Sequence, residues 1–147
     1  MTNEFEIRRA RSSDLATAQE WLAAADLPTE DLTAAHMETF LIASAQGKPV
    51  GMIGLESFSH VGLLRSLIVD EHYRGHGLGA YLVAALEAKA TAEGLSELWL
   101  LTIDADQFFA GHGYETKQRV DVPITIQYSA EFSLLCPDDA VLMKKQF

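Results

Sequence analysis

Cysteine is nearly absent. The 147-residue chain holds one, Cys136, which excludes an intrachain disulfide and a cysteine-built zinc site. Basic residues are scarce as well. Eleven Lys and Arg stand against 21 Asp and Glu, a formal net charge of −10, a poor match to nucleic acid or an anionic membrane surface. No apolar run reaches the ~20 residues that cross a bilayer. No N-terminal stretch reads as a signal peptide, so a cytoplasmic protein is the expectation. Prolines number four, and no repeat, low-complexity tract or linker is present. What remains is 48% apolar and 22% charged, the make-up of a globular protein. The length suits one domain over residues 1–147 with a substantial core.

Glycine, by contrast, is concentrated where the chain changes character. In LLRSLIVDEHYRGHGLGA (Leu63 to Ala80), Leu64 to Val69 is a mostly apolar run that reads as a strand buried on both faces. Asp70 to Tyr73 breaks it with polar groups. Arg74-Gly75-His76-Gly77-Leu78-Gly79 follows, and then Leu78, Tyr81, Leu82, Ala85, Leu86 and Lys89 recur at helical spacing. Glycines at 75, 77 and 79 allow positive φ and a close approach of the main chain to a ligand. The first N–H groups of the helix have no internal partner, and the helix dipole adds partial positive charge. Together they make a site for phosphate oxygens, with Arg74 and His76 at its rim. The plain alternative is a tight strand-to-helix turn without a ligand. Gly75-x-Gly77-x-x-Ala80 also fits a dinucleotide-binding fingerprint, but about half the chain precedes it and too little follows for a doubly wound sheet. No Gly-Lys-Ser/Thr is present, so there is no Walker loop.

The rest of the chain reads in order. Phe5 to Arg9 is an edge strand. Ser12-Ser13-Asp14 offers an N-cap for a helix from Asp14 to Ala25, ended by Leu27-Pro28. Asp31 to Met37 is ambiguous, with a short second helix as one reading. Thr39 to Ala45 and Val50 to Phe58 are strands about a turn at Gln46 to Pro49, and Gly51 and Gly54 in the second suggest a bulge. Ser59-His60 turns into the strand before the glycine loop, which makes a three-stranded meander. Glu93-Gly94 caps the helix. Leu98 to Ile103 is an apolar strand expected to lie parallel to Leu64–Val69 through a right-handed crossover. Asp106 to Gly111 reads as a short helix and Tyr114 to Val120 as a strand. Pro123 to Tyr128 has no clear pattern, and Ala140 to Lys145 reads as a closing strand.

The R-x-x-G-x-G pattern of Arg74 to Gly79, after a strand ending Leu67-Ile68-Val69-Asp70, resembles the acyl-CoA loop of the GCN5-related N-acetyltransferases (GNAT). Phe108-Phe109-Ala110-Gly111-His112-Gly113-Tyr114 is similar to that family's segment of an aromatic pair, three residues and Gly-aromatic. The resemblance runs from Glu6 to about Lys145. It implies an α+β (α/β) GNAT-type acyl-CoA N-acyltransferase fold: a mixed central sheet with a splayed parallel strand pair, flanked by helices. It also implies acetyl-CoA as cosubstrate. Main-chain groups of Leu67, Ile68 and Val69 would meet the thioester and pantetheine, and the amides from Gly75 through Gly77, Leu78 and Gly79 to Ala80 would hold the pyrophosphate. Thr102 and Phe109 would also border the cosubstrate. The region 31–37 would shape the acceptor pocket.

The resembling enzymes attack the thioester carbonyl with a deprotonated amine, which needs a proton route and some help for the departing thiolate. The tyrosine that many members place second in the aromatic pair is here Phe109, which cannot donate a proton. Tyr114 stands where an aromatic normally packs. The CoA thiol leaves without much assistance, so this departure does not exclude activity. Leu63 stands near the place of the usual glutamate base, and Glu56 is the substitute, as base or as an ordinary strand glutamate. Arg65 is a charge on a central strand, on the face of Leu63 and Leu67, and is costly unless paired. It either pairs with Glu56 or clamps a substrate carboxylate. His36, His60 and His112 read as loop or helix-end residues, and His72 and His76 do not make a metal site. Cys136 beside Pro137 reads as a small buried residue.

A narrower likeness joins Leu64-Arg65-Ser66-Leu67, Leu100-Leu101-Thr102, the aromatic segment, Arg119 with Pro123-Ile124, and Glu131 to Pro137. Together they are similar to a GNAT subgroup linked to arsenic-resistance operons. A related subgroup acetylates the amine of amino-acid-like organoarsenicals and phosphinothricin, and an amino-acid-like acceptor would suit Arg65, with Arg119 as a second anion contact. A catalytically silent acyl-CoA-binding module is the alternative, and an exposed sheet edge leaves a homodimer open.

Overall fold

The apolar runs of the first half form an antiparallel meander, and the computed structural model describes residues 5–24, 33–75, 77–102, 105–127 and 140–147. The chain runs through β1 (Glu6–Arg9), a 3-10 turn (Ser12–Asp14), α1 (Leu15–Ala24), a second 3-10 turn (Ala34–Thr39), β2 (Phe40–Ala45), β3 (Lys48–Phe58) and β4 (Val61–Val69). It continues through a 3-10 turn (Glu71–Tyr73), α2 (Leu78–Ala92), β5 (Glu97–Thr102), α3 (Asp106–Ala110), β6 (Glu115–Lys117), a 3-10 turn (Arg119–Asp121), α4 (Ile124–Gln127) and β7 (Val141–Gln146). Among the described residues seven strands make one sheet, ordered β1-β2-β3-β4-β5-β7-β6. β4 and β5 are parallel, and every other neighbouring pair is antiparallel. No helix among the described residues is long and apolar enough to cross a membrane.

Helix α2 covers one face. Its Leu78, Leu82, Val83, Leu86 and Ala90 are buried against Leu41, Ala43, Val50, Ile53, Leu55, Leu64, Leu98, Leu100 and Met143. The expected helical stripe holds except at Tyr81, which is 39% exposed, while Val83 turns inward instead. Gly94 takes φ +85°, and the Leu95 N–H returns to the Ala90 carbonyl at 3.0 Å, so the expected C-cap forms.

The opposite face is built differently. Its apolar side chains fall into two separate groups. Ala10, Ala18, Leu22, Met37, Phe40, Ile42 and Met52 pack beneath α1, and Val61, Leu63, Trp99, Val122, Ile126 and Leu142 pack together beside α4. Between them β3 and β4 carry Glu56 and Arg65. A continuous core on one face and a divided one on the other is the feature that places the site.

Some local expectations are corrected. Tyr114 to Val120 is not one strand. β6 stops at Lys117, where Asp121 captures the turn: its carboxylate accepts the Gln118 N–H at 3.3 Å, and its N–H donates to the Gln118 carbonyl at 2.9 Å. Pro123 then opens α4, with the Ile126 N–H on its carbonyl at 3.0 Å. The irregularity expected at Gly51 and Gly54 is present: the β2 ladder shifts at Ala43/Ser44, opposite Gly51, and the β4 ladder shifts between Met52 and Gly54. Gly54 has a packing role besides. A Cβ there would lie 2.4 Å from the Phe40 ring, so Gly54 makes room for Phe40. Leu27-Pro28, Ile103, His76, Glu131 and Cys136 lie outside the described residues.

Candidate active site

Strand β4 ends at Val69 and the chain turns at once. The Asp70 N–H donates to the Val50 carbonyl at 2.8 Å, and the Asp70 carboxylate accepts the His72 N–H at 2.9 Å. That main-chain hydrogen bond holds the Asp70 carboxyl below its ordinary range. Arg74 Nε donates to the Val69 carbonyl at 3.2 Å, tying the loop to the strand end. Gly75 and Gly77 adopt φ +83° and +79°, and a Cβ on either would meet nothing within 4 Å. Backbone conformation therefore calls for these glycines, and the space beside them is open. Gly77 caps α2, whose first internal hydrogen bond runs from the Tyr81 N–H to the Gly77 carbonyl at 3.0 Å. The N–H groups of Leu78, Gly79 and Ala80 have no partner inside the helix, and they sit at its positive end. The Leu78 side chain is buried in the core below and anchors this turn.

Next to the loop the sheet forks. β4 and β5 pair from Val61↔Glu97 to Leu63↔Trp99, where the parallel ladder ends. The expectation of pairing along Leu64–Val69 is thus corrected to the residues just before it. The β3 ladder also changes here. Met52 faces Ile68 and Gly54 faces Arg65, so two residues of β4, Ser66 and Leu67, stand against Ile53. Ser66 takes φ +60°, a conformation that costs a non-glycine residue free energy and is found at functional sites. The bulge reverses the alternation of side chains. Arg65 keeps the face of Leu63, as expected, but Leu67 does not share it: Leu67 and Val69 pack on the α2 side, and Ile68 packs on the other. From Ser66 to Val69 the strand is only half-buried, not buried on both faces.

Thr102 and the aromatic pair lie across the fork. The Thr102 hydroxyl accepts the Ala105 N–H at 3.0 Å and sets the entry to α3. Phe109 is turned into the core, edge-on to Tyr114 with ring centres 5.5 Å apart. Phe108 is the half-exposed member, and its ring lies 3.5 Å from where a Cβ on Gly79 would be. The sequence reading singled out Phe109; the aromatic beside the start of α2 is Phe108.

Glu56 and Arg65 meet. Glu56 sits opposite Leu63, the last β4 residue paired to β5, and Arg65 lies two residues further along. Arg65 Nη1 is 3.0 Å from Glu56 Oε2, and Arg65 Nε donates to Ser66 Oγ at 3.0 Å. The Arg65 side chain is 2% exposed and the Glu56 side chain 15%. The guanidinium also stands 5.9 Å from the centre of the Phe40 ring that Gly54 accommodates. His36 approaches the other carboxylate oxygen, with Nε2 3.7 Å from Glu56 Oε1. Sequence reasoning read His36 as a loop or helix-end residue, which its place on the 3-10 turn agrees with, but did not bring it to Glu56. The signal was its place three residues after Thr33, the spacing of a reciprocal helix-start pair.

Tyr114 belongs to a separate network. Its hydroxyl donates to Glu87 Oε2 at 2.9 Å, and Lys145 Nζ lies 3.1 Å from both Glu87 oxygens and donates to the His112 carbonyl at 2.8 Å. Burial, with the Glu87 charge, pushes the Tyr114 phenol far above its ordinary value. Among the described residues no cluster of His, Cys, Asp or Glu could hold a metal ion.

Comparison with known proteins agrees with this geometry. The chain is 30% identical over 89 residues to an uncharacterized N-acetyltransferase of Chlorobaculum tepidum, covering 60% of this chain and 57% of that one. It is 32% identical over 90 residues to an amino-acid acetyltransferase of Ectopseudomonas mendocina, covering 60% of this chain and 21% of that one. The chain thus spans less than two thirds of the curated relatives it matches. Among solved structures, N-acetylglutamate synthase from Neisseria gonorrhoeae, complexed with coenzyme A and N-acetyl-glutamate, superposes with a TM-score of 0.87 at 21% identity, covering 99% of this chain and 36% of that one. That likeness is one of fold. The sequence model of the acetyltransferase (GNAT) family matches residues 6–117, and the chain belongs to that family.

Proposed function

We propose that the protein transfers an acetyl group from acetyl-CoA to the amine of a small, carboxylate-bearing, amino-acid-like substrate. The observation that carries this is the position of the Glu56–Arg65 pair at the mouth of the β4–β5 fork, between the two apolar groups of that face. A buried cation and a less buried anion side by side match the carboxylate and ammonium of a zwitterion. The amino-acid acetyltransferase named above supports the same class of acceptor.

The residues present fit the cosubstrate. Open space beside Gly75 and Gly77 and the N–H groups of Leu78, Gly79 and Ala80, which have no partner inside the helix, suit a pyrophosphate, which matters in a chain whose net charge is −10. The fork offers main-chain groups of Leu67 to Val69 to the pantetheine arm, with Phe108 on the facing side. The chemistry supplied by the bound thioester is an activated acetyl carbonyl. Glu56 orients the amine and takes its proton, directly or through water; the neutral nitrogen forms the new C–N bond, and the C–S bond breaks to release CoA thiolate. Phe109 and Leu63 supply no proton, and Tyr114 is held by Glu87, so the thiolate leaves on the strength of its own acidity.

A second reading, an acyl-CoA-binding module without catalysis, is favoured by Phe109 and Leu63 being core side chains. The test is calorimetric titration with acetyl-CoA, followed by release of free CoA thiol over a panel of amines with glutamate-like and phosphinothricin-like members. The expected result is turnover with a carboxylate-bearing amine and about tenfold to hundredfold lower kcat/KM for its decarboxylated analogue. Tight acetyl-CoA binding with no turnover favours the silent module, and NAD binding without CoA binding overturns both. Three finer readings rest on sequence alone: a part in arsenic or toxin resistance, a cytoplasmic site of action, and a homodimer paired along a sheet edge. Resistance of cells carrying the gene, and mass in solution, are the measurements for the first and last.

A further inference from the structure

We propose that His36 is a positioning residue for the acceptor amine: its Nε2–H stands beside the Glu56 carboxylate and, once the ring is protonated, its charge competes with the substrate's ammonium for that carboxylate. This rests on the reading above, in which Glu56 receives the amino group.

The imidazole is oriented from behind. The Thr33 main-chain N–H donates to His36 Nδ1 at 3.1 Å, and Thr33 Oγ1 lies 3.0 Å from the same nitrogen. A main-chain N–H can only donate, so Nδ1 carries a lone pair, and the proton of the neutral ring is on Nε2. That nitrogen is the one 3.7 Å from Glu56 Oε1. The carboxylate is thus approached at both oxygens, by Arg65 from β4 and by His36 from the 3-10 turn Ala34–Thr39. At 3.7 Å the neutral ring is a weak, orienting neighbour, beyond the length of a good hydrogen bond. A protonated ring adds a full charge at the same place, and the substrate's ammonium must then displace it. Protonation also takes Nδ1 from the Thr33 N–H and leaves Thr33 Oγ1 as its acceptor. The His36 side chain is 24% exposed, so solvent reaches it.

Other charges near this turn are accounted for. The elements packed on it are β1, the turn Ser12–Asp14, β2 and β3. Their charged residues are Glu6, Arg8, Arg9, Asp14, Lys48 and Glu56, with Arg11 just before that turn and Glu38 on the turn of His36 itself. Asp14 is engaged by Arg8 at 2.9 Å, and Glu56 is the carboxylate within ion-pair reach of the His36 ring among the described residues.

The test compares wild type with His36→Gln and His36→Ala. The glutamine keeps an N–H donor of similar reach and a partner for Thr33, but cannot become charged. KM and kcat for the accepted amine, and KM for acetyl-CoA, are measured from about pH 5.5 to 8.5, with melting temperatures to confirm folding. Ionisation of the amine itself is common to all three proteins and cancels in the comparison. The wild-type amine KM is expected to rise on acidification by about threefold to tenfold more than that of His36→Gln. His36→Gln is expected to match wild type at the alkaline end, His36→Ala to have a raised amine KM throughout, and KM for acetyl-CoA to stay unchanged. A His36→Gln profile parallel to wild type, or an unaltered amine KM in His36→Ala, overturns the proposal. Nitrogen-15 shifts of the wild-type imidazole give a readout that needs no turnover. A ring protonated on Nδ1 overturns this proposal alone. An Nε2–H ring in a protein that acetylates no amine overturns the proposed function, and with it the substrate's part here.

Discussion

A phenol serves as an acid only where its proton can leave, and Tyr114 is held where it cannot. Its hydroxyl hydrogen is committed to Glu87, Glu87 is itself held by Lys145, and the ring is 3% exposed. Replacing Tyr114 with Phe should therefore leave kcat within about twofold and cost about 1 kcal/mol of stability, the worth of one hydrogen bond. Stopped-time thiol release and a denaturant melt measure the two. A hundredfold fall in kcat with an unchanged melt would make Tyr114 the acid after all. The sequence did show that Phe109 cannot act and that Tyr114 packs, because residue type alone decides the first and the Gly-aromatic spacing points to the second. It could not show which member of the Phe108–Phe109 pair turns inward, since adjacent residues on a five-residue helix differ only by where that helix docks. The open alternatives for Arg65 narrow in a similar way. The pair with Glu56 forms, and its place at the fork makes it the candidate receptor as well.

At the level of elements, the strand, glycine loop and helix from Val61 to Ala92 were legible because each part carries its own local signal: an apolar run, glycines, a helical stripe. The bulge at Ser66 carried no signal on its own strand, and only Gly51 and Gly54 on the facing β3 pointed to an irregularity there. The positive φ of Ser66 goes with its pairing to the neighbouring strand β3, which the residue type of Ser66 does not announce. Missing it put Leu67 on the wrong face, and register errors of one residue always have that effect. The loop gives the element its prediction. Gly77 has φ +79° with open space where a Cβ would go. Gly77→Ala should thus cost about 1 kcal/mol of stability through backbone strain alone. Its methyl group would stand in the space that the proposed site gives to the phosphate at the first turn of α2, so acetyl-CoA affinity should fall by about tenfold or more. Calorimetry and a thermal melt separate the two effects. Unchanged affinity would remove this turn from the binding site.

Across the whole molecule, the pH dependence of stability is set mainly by Asp14 and Tyr114, both away from the fork. Asp14 accepts two bonds from Arg8, at 2.9 and 3.0 Å, and the Arg11 N–H at 2.7 Å. The Arg8 contact, then that of Arg11, hold its carboxyl below the ordinary value against the cost of burial. A carboxyl with a lowered folded pKa gives stability that is present above its unfolded value, ~3.9, and is lost as pH falls through the folded one. Asp70 acts in the same direction, weakly, being exposed. Tyr114 has the opposite sign: its folded value is raised, so its contribution is whole below the unfolded value, ~10, and is lost as pH climbs past it. Denaturant midpoints should then be highest between about pH 5 and 9 and fall on both sides. Asp14→Asn should cost about 1–2 kcal/mol at neutral pH and flatten the acid side, while Tyr114→Phe should flatten the alkaline side. These two limbs belong to different ends of the sheet, Asp14 beside β1 and Tyr114 beside β7. Each substitution should therefore alter its own limb and leave the other unchanged, and a variant that shifted both would overturn the independence of the two groups.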